Sequence, residues 1–123
     1  MAEPQTTATE TELAPERARE LASEGAQLVD VRGAYEHDAG HIAGDEHVPL
    51  VSLDAEADRL DRSRPVILYC RSGDRSGMAA VAFRASGWDA YSIEGGLLAW
   101  AERGLPLEPE GGEVASRPNL PGA

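Results

Sequence analysis

The chain has 123 residues with 22 acidic and 11 basic side chains, a formal net charge of −11, and this length fits one domain. Hydrophobic residues at 41% are enough for a core, while a pI near 4.6 opposes a phosphate backbone, so no nucleic-acid partner is expected. The longest apolar runs, 65–69 and 78–83, fall far short of the roughly 18 residues that cross a bilayer, and the first ten residues lack the positive start and apolar stretch of a secretory leader. No membrane partner and a cytoplasmic location are therefore expected.

Residues 1–11 and 108–123, rich in threonine, proline and glycine with few large apolar groups, read as flexible N- and C-terminal tails around a working domain at 12–107. Pro15 suits a first helical turn, and Ala18, Leu21 and Ala22 recur at helical spacing until Gly25. A short strand at 27–31 follows. The connection from 32 to 46, rich in glycine, histidine and aspartate, is long for a compact domain and reads as a functional loop. The sheet resumes near 47–49. A helix over 52–60 would bury Leu53, Ala57 and Leu60, and Val66, Ile67, Leu68 and Tyr69 then form the most β-prone run, a central strand buried on both faces. A helix over 76–86 is expected to turn Met78, Val81, Ala82 and Phe83 to the core and to end at Gly87. A strand at 90–93 precedes Gly95, Gly96 and a small helix through Leu97, Leu98 and Trp100, closed by Pro106. Strands alternating with helices imply a parallel sheet of the α/β class.

The chemistry concentrates in Cys70-Arg71-Ser72-Gly73-Asp74-Arg75-Ser76, between the strongest strand and a helix start. At that end of a parallel sheet the strands open on a ligand crevice, and a beginning helix offers unpaired amides and the positive end of its dipole. Those amides and two guanidinium groups would favour a sulfur anion at Cys70, making it a nucleophile. Gly73 lets the backbone turn tightly, and Ser76 is a candidate helix cap. A lone cysteine is more often apolar filler, but the flanking arginines reverse that balance. As the single cysteine of the chain, Cys70 can neither form an internal disulfide nor complete a cysteine-rich zinc site.

Three segments, in order, resemble the rhodanese family of sulfurtransferases in its short, single-domain form. The first is Leu28-Val29-Asp30-Val31-Arg32 with Glu36, Gly40-His41-Ile42 and Gly44; the second is the Cys70 loop; the third is Glu94-Gly95-Gly96 with Ala99-Trp100. The chain departs from the family's pattern at Ala43, where proline is usual, at His37, where an aromatic is common, and at Asp45 and Glu46, which are more charged. The resemblance implies a rhodanese-like α/β fold, a five-stranded parallel sheet flanked by helices on both faces. It also implies a thiosulfate sulfurtransferase. The Cys70 thiolate would take sulfane sulfur from thiosulfate or a persulfide donor and pass it to cyanide, a thiol or a protein acceptor. In that scheme Arg71, Ser72, Gly73, Asp74, Arg75 and Ser76 bind the substrate, their amides facing the persulfide and Arg71 and Arg75 gripping the sulfonate. No cofactor is implied.

Four supporting positions carry plainer readings beside this one. Asp30 and Arg32 share a strand face and read as scaffolding for the loop. Glu36 either orients Arg75 or is a solvated carboxylate, and His41 reads as a hydrogen-bonded turn histidine. His37, His41 and His47 lie within eleven residues, but Gly40 and Gly44 argue against a helix presenting His37 and His41 together, so no metal site is expected. Trp88, Trp100 and Phe83 read as packing. Two rivals remain: a non-catalytic or regulatory rhodanese-like binding module, and a cysteine-based phosphatase or arsenate reductase. The latter enzymes use a Cys-x5-Arg loop, one residue longer than the Cys-x4-Arg of Cys70 and Arg75.

Overall fold

A computed structural model describes residues 11–116. Residues 1–10 of the expected N-terminal tail and 117–123 of the expected C-terminal one lie outside the described residues. In chain order the elements are β1 (Glu12–Leu13), α1 (Pro15–Ser23), β2 (Gln27–Asp30), α2 (Ala34–Ala39), β3 (Glu46–His47), α3 (Leu50–Glu56) with a 3-10 turn (Ala57–Arg59), β4 (Val66–Tyr69), α4 (Asp74–Ala85), β5 (Ala90–Ile93) and α5 (Gly96–Glu102). The five strands pair in parallel in the order β1-β5-β4-β2-β3. This is a five-stranded α/β sheet, and β4, fully buried, lies at its centre.

Side-chain alternation along the strands divides the interior in two. Val29, Val66, Leu68 and Ala90 meet Leu53, Leu60, Ala79, Ala80 and Phe83, while Leu28, Ile67, Tyr69 and Ile93 meet Ala18, Leu97 and Trp100. Helices α3 and α4 thus cover one face, and α1 and α5 the other. Phe83 and Trp88 pack at 5.0 Å between ring centroids, and the Trp100 indole N–H donates to the Pro106 carbonyl at 2.8 Å.

The structure departs from the sequence expectations most clearly at four places. Helix α4 begins at Asp74, directly after Gly73 in the left-handed region, φ 104°. That early start turns Arg75 and Ser76 inward, and Ala79, Ala80 and Phe83 follow on the same stripe. Met78 (67% exposed) and Val81 (61%) therefore face solvent, as does Ala82, contrary to the core role expected of them. Helix α3 likewise starts two residues early, since the Leu50 N–H bonds to the Val31 carbonyl at 2.9 Å as the chain leaves the sheet. The connection after β2 contains a helix, α2, whose glutamate turns back so that its Oε1 accepts from the Gly33 N–H at 3.3 Å. Finally, residues 108–116, expected to begin a flexible tail, are tied to the domain. His41 and Glu108 exchange backbone hydrogen bonds of 2.9 and 2.7 Å, and the Glu113 N–H donates to the Ala39 carbonyl at 2.9 Å. Gly40 admits this segment, because a Cβ there would collide with the Glu113 backbone.

Candidate active site

Cys70 follows β4 directly, where the chain leaves the sheet at its carboxyl end and turns into α4. The residue is 1% exposed, yet its sulfur is held by polar donors. The Gly73 N–H reaches Sγ at 3.1 Å, the Ser76 N–H at 3.4 Å and the Ser76 hydroxyl at 3.5 Å. Ser92, on the neighbouring strand β5, lies 2.7 Å from the Ser76 hydroxyl, so that when Ser76 donates to sulfur Ser92 can donate to Ser76. An apolar filler would need no such donors. Three of them on one sulfur stabilise negative charge there.

The loop keeps this shape because its carbonyls are held elsewhere. The Leu97 and Leu98 amides of α5 donate to the carbonyls of Cys70 and Arg71 at 2.8 and 3.0 Å. Gly96 makes that approach possible. Its φ is 63°, and a Cβ on it would run into the Arg71 carbonyl and lie 2.7 Å from the Cys70 oxygen. With the carbonyls drawn off by α5, amides of the same loop are free to turn toward the sulfur.

Behind the loop stands a fork of charge-assisted hydrogen bonds. Arg75 donates through Nη1 and Nη2 to the two oxygens of Glu36, each at 3.0 Å, with both side chains almost fully buried. Burial alone would raise the Glu36 pKa, but the Arg75 bonds and charge outweigh it and hold the carboxyl below its usual range. The same bonds, against an opposing effect of burial, raise the pKa of the Arg75 guanidinium, so it stays charged beside Cys70. Of the two options open for Glu36, the structure takes the pair with Arg75.

A second buried pair lies under the connection. Arg32 donates through Nε and Nη2 to the two Asp30 oxygens at 2.8 Å each, and through Nη2 to the Gly40 carbonyl at 2.7 Å. Its Nη1 has no partner among the described residues. Burial would raise the Asp30 pKa, but the Arg32 bonds prevail and lower it. Tyr69 completes the network: its hydroxyl accepts from the Ile42 N–H at 3.0 Å and donates to Asp45 Oδ2 at 2.6 Å. Burial and the nearby Asp30 and Asp45 push the Tyr69 pKa far up, keeping it a donor, and burial also pushes Asp45 up.

The structure thus brings Cys70, Gly73, Arg75, Ser76 and Glu36 together, with Asp30 and Arg32 as a neighbouring scaffold. Ser76 lies within the first turn of α4 and bonds the sulfur, so it is not the helix cap; Gly73 holds that position. Ser72 and Asp74 are exposed at the rim. Arg71 turns its Nε to the Ala115 carbonyl at 3.2 Å, which joins it to the C-terminal segment. His41 bonds through Nδ1 to the His37 carbonyl at 2.9 Å. His37 and His41, which Gly40 was expected to keep apart, are stacked with ring centroids 3.9 Å apart, because α2 brings one to the turn from which the other departs. Three contributors escaped the sequence reading. Ser92 and Asp45 are joined to the site only across the fold, whereas Gly96 carried a signal in the Gly-Gly pair at a helix start.

Comparison with known proteins agrees with this architecture. The family model described as "Rhodanese-like domain" matches residues 14–103. The thiosulfate sulfurtransferase GlpE of Pseudomonas aeruginosa is 35% identical over 103 residues, 83% of this chain and 93% of that protein. The protein of the same name from Pseudomonas paraeruginosa is 37% identical over 89 residues, 72% of this chain and 81% of its own. Among solved structures, a rhodanese-related protein from Thermoplasma volcanium superposes with a TM-score of 0.72 at 28% identity, covering 80% of this chain and 98% of that one. Among the described residues, no helix is long and apolar enough to cross a membrane.

Proposed function

Because the chain belongs to the rhodanese-like family, we propose that it is a thiosulfate sulfurtransferase whose domain at 12–107 carries sulfur on Cys70. The Cys70 thiolate attacks the outer sulfur of thiosulfate. A sulfur–sulfur bond forms at Cys70 as the old one breaks, and sulfite leaves with the electron pair. A nucleophilic acceptor, cyanide, a small thiol or a protein thiol, then attacks the terminal sulfur, and the Cys70 thiolate departs unchanged. A persulfide serves as donor in the same way, releasing a thiol.

The observation that carries this reading is the set of three donors on Sγ, from Gly73 and from the amide and hydroxyl of Ser76. They offset negative charge on a thiolate and on the persulfide that replaces it. Arg75, fixed by Glu36, supplies the cation for the sulfonate end of thiosulfate. The short Cys-x4-Arg ring favours a sulfur anion over a larger tetrahedral oxyanion. A reducing cytoplasm suits a lone working thiol.

Incubation with thiosulfate should add one sulfur atom to the intact mass, and Cys70→Ser should remove both that gain and at least about 10³-fold of the thiosulfate:cyanide transfer rate. Equal transfer by parent and variant would overturn the reading in favour of a binding module. Rapid hydrolysis of an aryl phosphate without persulfide formation would favour the phosphatase.

A further inference from the structure

Residues 108–116 lie beyond the stretch at 14–103 that matches the family model, yet they touch both elements that flank Cys70. The Glu113 N–H donates to the carbonyl of Ala39, the last residue of α2, at 2.9 Å, and the Ala115 carbonyl accepts from Nε of Arg71, in the Cys70 loop, at 3.2 Å. We propose that this segment is an autoinhibitory strap that selects the sulfur donor: by occupying Arg71 it competes with the sulfonate of thiosulfate, and its release raises thiosulfate use. The proposal rests on the reading of Cys70 as the sulfur carrier.

The strap is seated by the fold at several points. Glu108 exchanges backbone hydrogen bonds with His41 where the segment begins, and Val114 packs against the core cluster that holds Tyr69, Leu97 and Trp100. Between them Gly40 and Gly112 meet. A Cβ on Gly40 would collide with the Glu113 backbone, and one on Gly112 would lie 2.8 Å from the Pro109 oxygen, 3.1 Å from the Ala39 oxygen and 3.2 Å from the Gly40 Cα. Neither glycine has the positive φ that would demand it for conformational reasons. What each permits is the close passage of one backbone over another.

The competition follows from the shape of a guanidinium, which grips an oxyanion along an edge by paired N–H donors. The Ala115 carbonyl takes the edge that carries Nε, so a sulfonate oxygen arriving there meets another oxygen. Arg75 is fixed by a carboxylate, Glu36, whereas Arg71 is held by a neutral carbonyl, a contact that an anion displaces more readily. The strap also brings three exposed carboxylates, Glu108, Glu110 and Glu113, and no basic residue. Their field reaches about 10 Å at 0.1 M salt and opposes the thiosulfate dianion. A persulfide donor has no sulfonate and escapes the competition, so the seated strap favours persulfide over thiosulfate.

Gly112→Ala tests the strap from outside the sulfur-binding residues. It should lift the segment and raise kcat/KM for thiosulfate at least about threefold, with transfer from a small alkyl persulfide little changed. In an Arg71→Ala background the same substitution should give no gain. Linkage supplies a readout that does not depend on these variants folding: if thiosulfate and the seated strap compete, thiosulfate must loosen the strap. Hydrogen exchange at the Glu113 amide of Cys70→Ser should therefore quicken when thiosulfate is added. An unchanged or lowered kcat/KM in Gly112→Ala, an equal gain with both donors, a gain that persists without Arg71, or exchange that stays the same or slows would each overturn the proposal. Failure of the parent protein to gain sulfur from thiosulfate would overturn the sulfurtransferase reading and the strap with it, whereas a parent that loads sulfur beside an indifferent strap overturns the strap alone.

Discussion

Two neighbouring regions, the Cys70 loop and the connection between β2 and β3, face the same end of the sheet but are built differently. Backbone makes most of the first: the amides of Gly73 and Ser76 aim at sulfur while Leu97 and Leu98 hold the loop carbonyls. Side chains make the second, through Asp30 to Arg32, Asp30 to His37, and Tyr69 to Asp45. A backbone cradle depends on glycine at a few positions, and most side chains around it can vary. A side-chain network depends on every member, since each buried polar group left without its partner costs about 1–3 kcal/mol.

That contrast can be broken most sharply at Gly96. Placing a methyl group there, Gly96→Ala, forces a left-handed residue and a clash with the carbonyls of Cys70 and Arg71. The expected cost is about 3–4 kcal/mol, read by urea denaturation, with sulfur loading of Cys70 lost by intact mass. A stable variant that loads sulfur normally would show that the cradle does not need that approach. Glu36→Gln comes next. It removes one charge from the fork on Arg75, should cost about 2 kcal/mol at neutral pH and should raise KM for thiosulfate more than it lowers kcat. The pH dependence has a definite sign: the Glu36 carboxyl is depressed in the folded protein, so its contribution is full above the unfolded value near 4.3 and fades as pH falls through the folded value. Parent and Glu36→Gln should therefore converge in stability in acid, and a constant difference down to pH 2 would refute the pairing.

Tyr69→Phe sharpens the comparison from the other side. It strands the Ile42 N–H and removes the donor to Asp45, for an expected loss of about 1–2 kcal/mol, with sulfur transfer per folded molecule little changed. The smallest effect belongs to Met78→Gln. With Met78 67% exposed, the change in stability should stay within about 0.5 kcal/mol, whereas a core methionine would cost several times more.

Much of the fold was legible because periodicity and punctuation agreed. The buried run at Val66–Tyr69, the strand at Ala90–Ile93 and the helix opened by Pro15 stand where spacing placed them. Met78, Val81 and Ala82 were misplaced for a physical reason: α4 is so rich in alanine that its apolar residues form no clear stripe. Its rotation is set by Arg75 and Ser76, which the active loop draws inward. Helix α2 was missed because it is six residues long and is held by tertiary partners of Glu36 and His37 rather than by an apolar stripe. The segment 108–116 read as a tail because its bonds are made by backbone, on which composition is silent.

The order of residues by itself determined the α/β class, the central strand and the placing of a cysteine between that strand and a helix, since hydrophobic period and the φ demands of glycine are local properties of the chain. Tertiary structure decided what no local pattern encodes. It brought Ser92 to Ser76, Glu36 to Arg75 and Tyr69 to Asp45, and it laid Ala115 against Arg71. Hydrogen bonds and ion pairs between distant residues act over a few ångströms of space, and only the packed sheet brings their partners within that range.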